Sequence, residues 1–101
     1  MKIYRHGDVL LRQINVLPEG LKKTNATTVA LGEVTGHSHR FNSGLVTVFE
    51  DIKKQKYVAV EEETTLIHEE HKPIQVMKGL FQVVMEKEYD VLAEAERQVL
   101  D

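Results

Sequence analysis

The sequence predicts a small, mainly β protein, an antiparallel β-barrel or sandwich with a C-terminal α-helix. Two observations lead to this fold class. Short segments rich in β-branched and aromatic residues recur along most of the chain, between turn-forming glycine, proline and asparagine residues. The final segment changes to alanine and glutamate, with apolar residues near helical spacing.

The chain has 101 residues, a length that fits one domain spanning residues 1–101. We expect a β core over about residues 1–90 and a helix over about residues 91–101, with Asp90 as its N-cap. Two interpretations of this helix stay open. Its apolar stripe either packs on the core or mediates self-association into a homo-oligomer.

The β segments are expected in a regular order along the chain. They cover Gly7–Ile14, Thr27–Thr35, the HRF and LVTVFE segments on either side of Asn42–Gly44, and then YVAVEE, TTLIH, PIQVM and LFQVVMEKEYD. Gly32 predicts a bulge or a bend within its segment. Because Asn-Ser-Gly is a tight-turn sequence, the pattern predicts that the segments flanking Asn42–Gly44 form a hairpin.

Composition restricts the classes of function. The net charge of −3 at pH 7 disfavours a general binder of nucleic acid or of an anionic membrane. The absence of cysteine excludes disulfide scaffolds, thiolate metal sites and cysteine nucleophiles. No apolar run is long enough for a membrane span, and Arg5, His6 and Asp8 interrupt any signal-peptide core. We therefore expect a cytoplasmic protein with no membrane partner.

Histidine is the most informative residue type in the chain. Four of the five histidines lie in two short segments, GHSH and HEEH. In the first segment His37 and His39 are two apart, so on a strand their side chains would point to one face. In the second segment His68 and His71 are three apart and precede Pro73, which favours an irregular loop.

These four histidines are the candidate ligands of one divalent transition metal ion, with zinc, nickel or iron as the candidate metals. Glu69 and Glu70 lie between the second pair. They are the candidate catalytic residues, as a carboxylate partner or as a base that activates a metal-bound water. The segment is not the zincin motif HExxH, which requires a histidine where Lys72 stands. Two alternatives stay open: a metal-free polar pocket, or surface histidines without a common role.

Two further residues have more than one interpretation. His6 would either join the cluster, if its strand lies beside the others, or be exposed near the terminus. Arg40 would either hold an anionic ligand or pair with one of the glutamates. Both choices stay open at the level of the sequence.

Around TGHSHRF the chain resembles the first motif of the cupin family, in which glycine precedes a His-x-His pair on a barrel strand. This resemblance implies a metal ion in the mouth of the barrel and one further histidine ligand, for which His68 or His71 would serve. Cupins carry a glutamate shortly after the pair, whereas Asn42, Ser43 and Gly44 occupy that window here. The second cupin motif is missing.

A longer resemblance is to a group of small bacterial and phage proteins. They share GEVTGHSHR, then HEEHKPI, then a glycine and an EYD-like ending, here Gly79 and Glu88-Tyr89-Asp90. This resemblance covers most of the chain from Gly32 onwards. It groups the two histidine segments and implies no activity.

Two functional hypotheses follow. The first is a metal-binding β-domain that takes an unknown small-molecule ligand and, with one coordination position open, activates a water. The second is a non-enzymatic interaction or assembly module of phage origin, whose histidines line a contact surface. The first requires a concave site at the histidines, and the second requires a sizeable apolar interface.

Overall fold

The computed structural model describes residues 2–31, 38–42 and 44–85. These residues contain ten β-strands. In chain order the strands are β1 (Ile3–His6), β2 (Val9–Ile14), β3 (Lys22–Lys23), β4 (Thr28–Leu31), β5 (Ser38–Phe41), β6 (Val46–Glu50), β7 (Lys56–Val60), β8 (Thr64–Ile67), β9 (Ile74–Val76) and β10 (Gly79–Met85). All the strand pairs are antiparallel, so the prediction of a mainly β, antiparallel protein is confirmed.

The strands form two sheets. The six-stranded sheet has the order β1-β2-β10-β7-β6-β3, and the four-stranded sheet has the order β4-β5-β8-β9. Within the described ranges neither sheet closes on itself, so these residues do not form the barrel alternative. Both sheets instead contribute side chains to one core, as the layers of a sandwich do.

Valine and a few larger apolar side chains fill the core, because alternate residues of each strand face inward. Val58 of β7 shows the arrangement, since it lies opposite Val48 on one neighbouring strand and Phe81 on the other. All three side chains are almost fully buried. The four-stranded sheet adds Val29, Phe41, Leu66 and Val76 to the same cluster.

The predicted hairpin across Asn42–Gly44 is wrong. Strand β5 pairs with β4 and β8, whereas β6 pairs with β3 and β7, so the chain passes from one sheet to the other between them. A tight-turn sequence specifies a local bend, but the strands on either side take the partners that bury their inward apolar side chains. The same change of sheet occurs between β9 and β10.

The ladder between β4 and β5 contains a bulge. Thr28 lies opposite Arg40, and Ala30 lies opposite the adjacent residue His39. Val29 is therefore the extra residue on β4, and its side chain is buried in the core.

Several predictions fall on residues outside the described ranges. They concern the bend at Gly32, the side chain of His37, the cap at Asp90 and the helix over about residues 91–101. Across the ranges that are described, no helix has the length and apolarity to cross a membrane.

Candidate metal centre

Three separate parts of the chain bring four imidazoles together. His6 ends β1, His39 lies in β5, and His68 and His71 follow β8. The ring centroids of His39 and His68 are 4.4 Å apart, and those of His68 and His71 are 4.7 Å apart. The ring of His6 lies 5.0 Å from that of His39. The structure thus joins the two predicted segments through His39, while His37 lies outside the described residues.

Strand β5 turns His39 toward the interior. His39 and Phe41 are buried, whereas Ser38 and Arg40 are only partly buried, as the alternation of side chains along a strand requires. The side chain of His39 is only 1% exposed. An imidazole held this deeply needs a polar partner for each ring nitrogen, because an unpaired buried polar atom is costly.

The neighbouring strand places the second histidine segment beside the first. Arg40 lies opposite Ile67 in the ladder between β5 and β8. One further step in this antiparallel register places His68 opposite His39. His71 then lies in the loop that joins β8 to β9, so the predicted irregular loop is confirmed.

The turn between β1 and β2 supplies the other side of the cluster. His6 pairs with Val9, which leaves Gly7 and Asp8 as a two-residue loop. Gly7 has a φ of 65°, and Asp8 has no positive φ, as in a type II′ turn. A Cβ atom on Gly7 would lie 2.6 Å from Nε2 of His71. Glycine is therefore required both by the turn and by the close approach of the imidazole.

His6 is a buried member of the cluster and is not exposed near the terminus. Its side chain is 2% exposed. Nε2 of His6 lies 3.0 Å from the carbonyl oxygen of Lys72. Nδ1 of His6 lies 3.0 Å from Nδ1 of His39. These contacts tie β1 to the β8–β9 loop and to β5.

Asp8 is the residue of the cluster that sequence reasoning missed. Its Oδ1 lies 3.2 Å from Nε2 of His39, and its side chain is 45% exposed. The available signal was the Gly7–Asp8 pair, since glycine followed by a polar residue between two β segments indicates a two-residue hairpin loop. Such a loop carries its aspartate to the same end of the sheet as His6.

The imidazoles of His6 and His39 are held in the neutral form. Burial, followed by the neighbouring His68 and His6, lowers the pKa of His39 to about 4, against the opposing effect of Asp8. Burial likewise lowers the pKa of His6, although its hydrogen bond to the Lys72 carbonyl opposes this. Metal coordination requires neutral imidazole, so this is the protonation state that a metal site needs at pH 7.

Three of the rings form a group suited to holding an ion. One nitrogen from each of His39, His68 and His71 lies within 4.8 Å of the others. Atoms bound at about 2.0–2.1 Å to one tetrahedral ion lie roughly 3.4 Å apart, so coordination requires the group to contract by rotation of the side chains. Neutral imidazole nitrogens suit zinc, copper, nickel and iron(II).

Glu69 lies beside the cluster and joins the loop after β8 to strand β5 through two hydrogen bonds. Its Oε2 accepts a hydrogen bond from the backbone N–H of Ser38 at 3.0 Å, and its Oε1 accepts one from Arg40 at 2.6 Å. The hydrogen bond from Ser38, followed by that from Arg40, lowers the pKa of Glu69 to about 2. Arg40 thus pairs with a glutamate, as one of its two interpretations predicted, and Glu69 is a weak base in this arrangement.

Glu70 contributes its backbone to the site. Its N–H donates to Nδ1 of His68 at 3.0 Å. In neutral His68 this contact places the ring proton on Nε2. Coordination through Nε2 of a neutral ring therefore requires His68 to exchange its tautomer, and the Glu70 hydrogen bond is then lost because the ring proton lies on Nδ1.

A family model described as Domain of unknown function (DUF8820) matches residues 5–86. This range covers most of the chain, and the protein belongs to this family. It includes the four clustered histidines and Asp8. No curated protein and no solved structure matches the chain.

Proposed function

We propose that this member of the DUF8820 family binds one divalent transition metal ion through His39, His68 and His71. The observation that carries the proposal is the approach of one nitrogen from each ring to within 4.8 Å of the others. Three imidazoles from two separate chain segments are a common donor set for zinc and for other late transition metals.

Asp8 is the candidate fourth ligand. Its carboxylate lies 3.2 Å from Nε2 of His39, close to the separation of two atoms that share one ion. A zinc ion with these four ligands would be closed and structural. An ion of higher coordination number would keep a position for water or for a small-molecule ligand, and Glu70 would then be the candidate base.

The experiment is a metal titration of untagged protein from which bound metal has been removed with a chelator. Zinc, nickel and iron(II) are added separately at pH 7.5, and binding is followed by calorimetry and by thermal melting. A ligand that binds only the folded state raises the melting temperature, by an amount corresponding to about 2.7 kcal/mol at a hundredfold excess over Kd. At least one of the three metals should produce this stabilisation.

The matched variants lie in one loop. His71→Ala removes a proposed ligand, while Lys72→Ala changes the adjacent side chain and leaves its carbonyl oxygen in place. The stabilisation by metal should be lost in His71→Ala and kept in Lys72→Ala. An unchanged melting temperature of the parent protein with every metal would remove the basis of the proposal.

One observation favours an assembly role as a second candidate. Large apolar side chains are exposed at the end of the six-stranded sheet away from the Gly7–Asp8 turn, where Ile3, Val16 and Met77 are 41%, 75% and 47% exposed. Equilibrium sedimentation of the parent and of Val16→Ser would test it. A monomeric parent protein at high concentration would count against self-assembly through this end.

A further inference from the structure

We infer that His6 is a positioning residue that sets the tautomer of His39, so that Nε2 of His39 carries the lone pair offered to the metal. The functional consequence rests on the proposed metal site. The hydrogen-bond chain that sets the tautomer is a property of the metal-free protein and can be measured without any ion.

The chain begins at the backbone carbonyl of Lys72. A carbonyl oxygen only accepts hydrogen bonds, and it lies 3.0 Å from Nε2 of His6. Nε2 of His6 therefore carries the proton and donates it. In a neutral imidazole the other nitrogen is then an acceptor, so Nδ1 of His6 has a free lone pair.

This lone pair faces the second ring. Nδ1 of His6 lies 3.0 Å from Nδ1 of His39, and a hydrogen bond between them needs one proton. Since Nδ1 of His6 accepts, Nδ1 of His39 must donate. Neutral His39 is therefore the Nδ1–H tautomer, and its Nε2 carries no proton.

The consequence appears at the far side of His39. Its unprotonated Nε2 lies 3.2 Å from Oδ1 of Asp8, so two acceptors face each other. A cation bound by both atoms satisfies both. Two ligands at about 2.1 Å from a tetrahedral ion lie roughly 3.4 Å apart, which is close to the separation present.

His6 itself is excluded from the ligand set by the same contacts. Both of its ring nitrogens are engaged, one by Lys72 and one by His39. At 2% exposure there is little room for water to replace either partner. Outer-shell partners of this kind fix the orientation and tautomer of a metal-binding histidine.

A rival arrangement has the opposite consequence. If His6 were an imidazolium ion, its Nδ1 would donate to His39, whose Nε2 would then carry a proton and donate it to Asp8. That chain leaves His39 no lone pair for a metal. The two arrangements differ in the position of one proton on His39, so an observation of that proton decides between them.

The experiment is nitrogen-15 NMR of the imidazole rings in the full-length, metal-free protein at pH 7.5. Two-bond nitrogen–proton correlations distinguish the two neutral tautomers and the imidazolium ion. The inference predicts Nδ1–H for His39 and Nε2–H for His6. A His39 ring protonated at Nε2, or a charged His6, would overturn it.

Three variants extend the test to metal binding. His6→Phe keeps a ring but removes the acceptor, and it should lower zinc affinity about ten- to hundredfold and shift His39 toward the Nε2–H tautomer. His6→Asn retains an acceptor oxygen near the position of Nδ1 and should recover part of both losses. Tyr4→Phe, on the same strand, removes the hydroxyl that accepts from the Met77 N–H and should leave both readouts unchanged.

The two proposals fail in different ways. Zinc binding that is unchanged in His6→Phe would overturn the positioning role of His6, even with a metal site present. The predicted tautomers in a parent protein that binds none of the metals would remove the proposed function and leave the hydrogen-bond assignment standing. If His6→Phe does not fold, the tautomers of the parent protein still decide the inference.

Discussion

The turn between β1 and β2 and the turn between β6 and β7 each carry an aspartate, and the two carboxylates have opposite surroundings. Oδ1 of Asp51 accepts hydrogen bonds from the backbone N–H groups of Lys53 and Gln55, at 2.8 and 2.9 Å. Oδ1 of Asp8 faces a ring nitrogen of buried His39. The first carboxylate holds its own turn together, while the second is directed away from its turn and toward the histidine cluster.

The residues with positive φ differ in the same way. Lys54 has a φ of 69° and Gly7 a φ of 65°, so both residues have a positive φ. The side chain of Lys54 is 82% exposed and meets nothing that excludes it. At Gly7 the space for a side chain is taken by His71. Glycine is required where the turn is packed against the histidines and is dispensable where the turn is open.

The largest effect is expected from Gly7→Ala. Left-handed backbone costs an L-residue about 1–2 kcal/mol, and the new Cβ would in addition displace His71 from the cluster. We expect loss of metal-linked stabilisation together with a lower melting temperature. Gly20→Ala is the control, because Gly20 has a φ of 81° with no atom within 4 Å of an added Cβ. It should cost similar backbone energy and leave metal binding intact, and equal metal binding by both variants would contradict the assigned role of Gly7.

Substitution of each aspartate should affect one property only, the stability of the fold for Asp51 and the metal affinity for Asp8. Asp51→Ala removes two hydrogen bonds to backbone and should lower the free energy of unfolding by about 1–3 kcal/mol, with metal affinity unchanged. Asp8→Ala should lower metal affinity at least tenfold and change the stability of the metal-free protein by less than about 0.5 kcal/mol. Denaturant unfolding and calorimetric titration of both variants measure the four quantities. A loss of metal affinity in Asp51→Ala would contradict the assignment of Asp51 to turn stability and of Asp8 to metal binding.

Lowering the pH should reduce the free energy of unfolding of the metal-free protein, because the histidine cluster resists protonation in the folded state. The pKa of His39 lies at about 4 in the folded state against an ordinary value of 6.5, so the unfolded chain takes up the proton first as pH falls. The free energy of unfolding should therefore decrease from about pH 6.5 down to about pH 4, and this contribution should be flat above that window. The lowered pKa of Glu69 acts in the same direction only below about pH 4.5.

Unfolding by urea at several pH values from 7.5 to 4.5 measures this dependence. Asp51→Ala should give a curve parallel to that of the parent protein, because its turn contains no histidine. A parent protein whose stability is constant between pH 6.5 and 5 would show that burial of His6 and His39 does not suppress their protonation.

The smallest effect is expected from Lys54→Gly. The substitution removes the backbone strain of an L-residue with a left-handed conformation. The greater conformational freedom of glycine in the unfolded chain offsets part of this stabilisation, so the net stabilisation should be about 0.5–1 kcal/mol. The exposed ion pair of Lys54 with Glu50 contributes little to the balance. A small rise in melting temperature with unchanged metal affinity is the expected result.

Much of the fold could be predicted from the sequence, because alternating apolar residues identify strands locally. The strands predicted around TTLIH, PIQVM and LFQVV agree with β8, β9 and β10. Their assignment to sheets could not be predicted in this way. The Asn42–Gly44 segment is a turn sequence whether its flanking strands pair with each other or with strands of two different sheets.

The candidate site was predicted only in part, because a local sequence pattern identifies some of its residues and does not identify the others. His39, His68 and His71 were found because each segment repeats histidine at short spacing. Asp8 and the carbonyl of Lys72 were not found. The Gly7–Asp8 pair indicates a hairpin loop but not what its aspartate contacts, and a backbone oxygen carries no signal of its role in the sequence. The contrast between Asp8 and Asp51 shows that the surroundings decide that role, and the surroundings come from the long-range packing of β1 against the β8–β9 loop.

The most direct test of the account is an anomalous difference map from crystals of the metal-free protein soaked in zinc, with data collected on both sides of the zinc absorption edge. The account predicts one strong peak bonded to Nε2 of His39 and to His68 and His71, at about 2.0–2.2 Å, with Asp8 as the fourth ligand. His6 should remain bonded to the Lys72 carbonyl. A map with no peak among these rings, or with zinc only at scattered surface carboxylates, would contradict it.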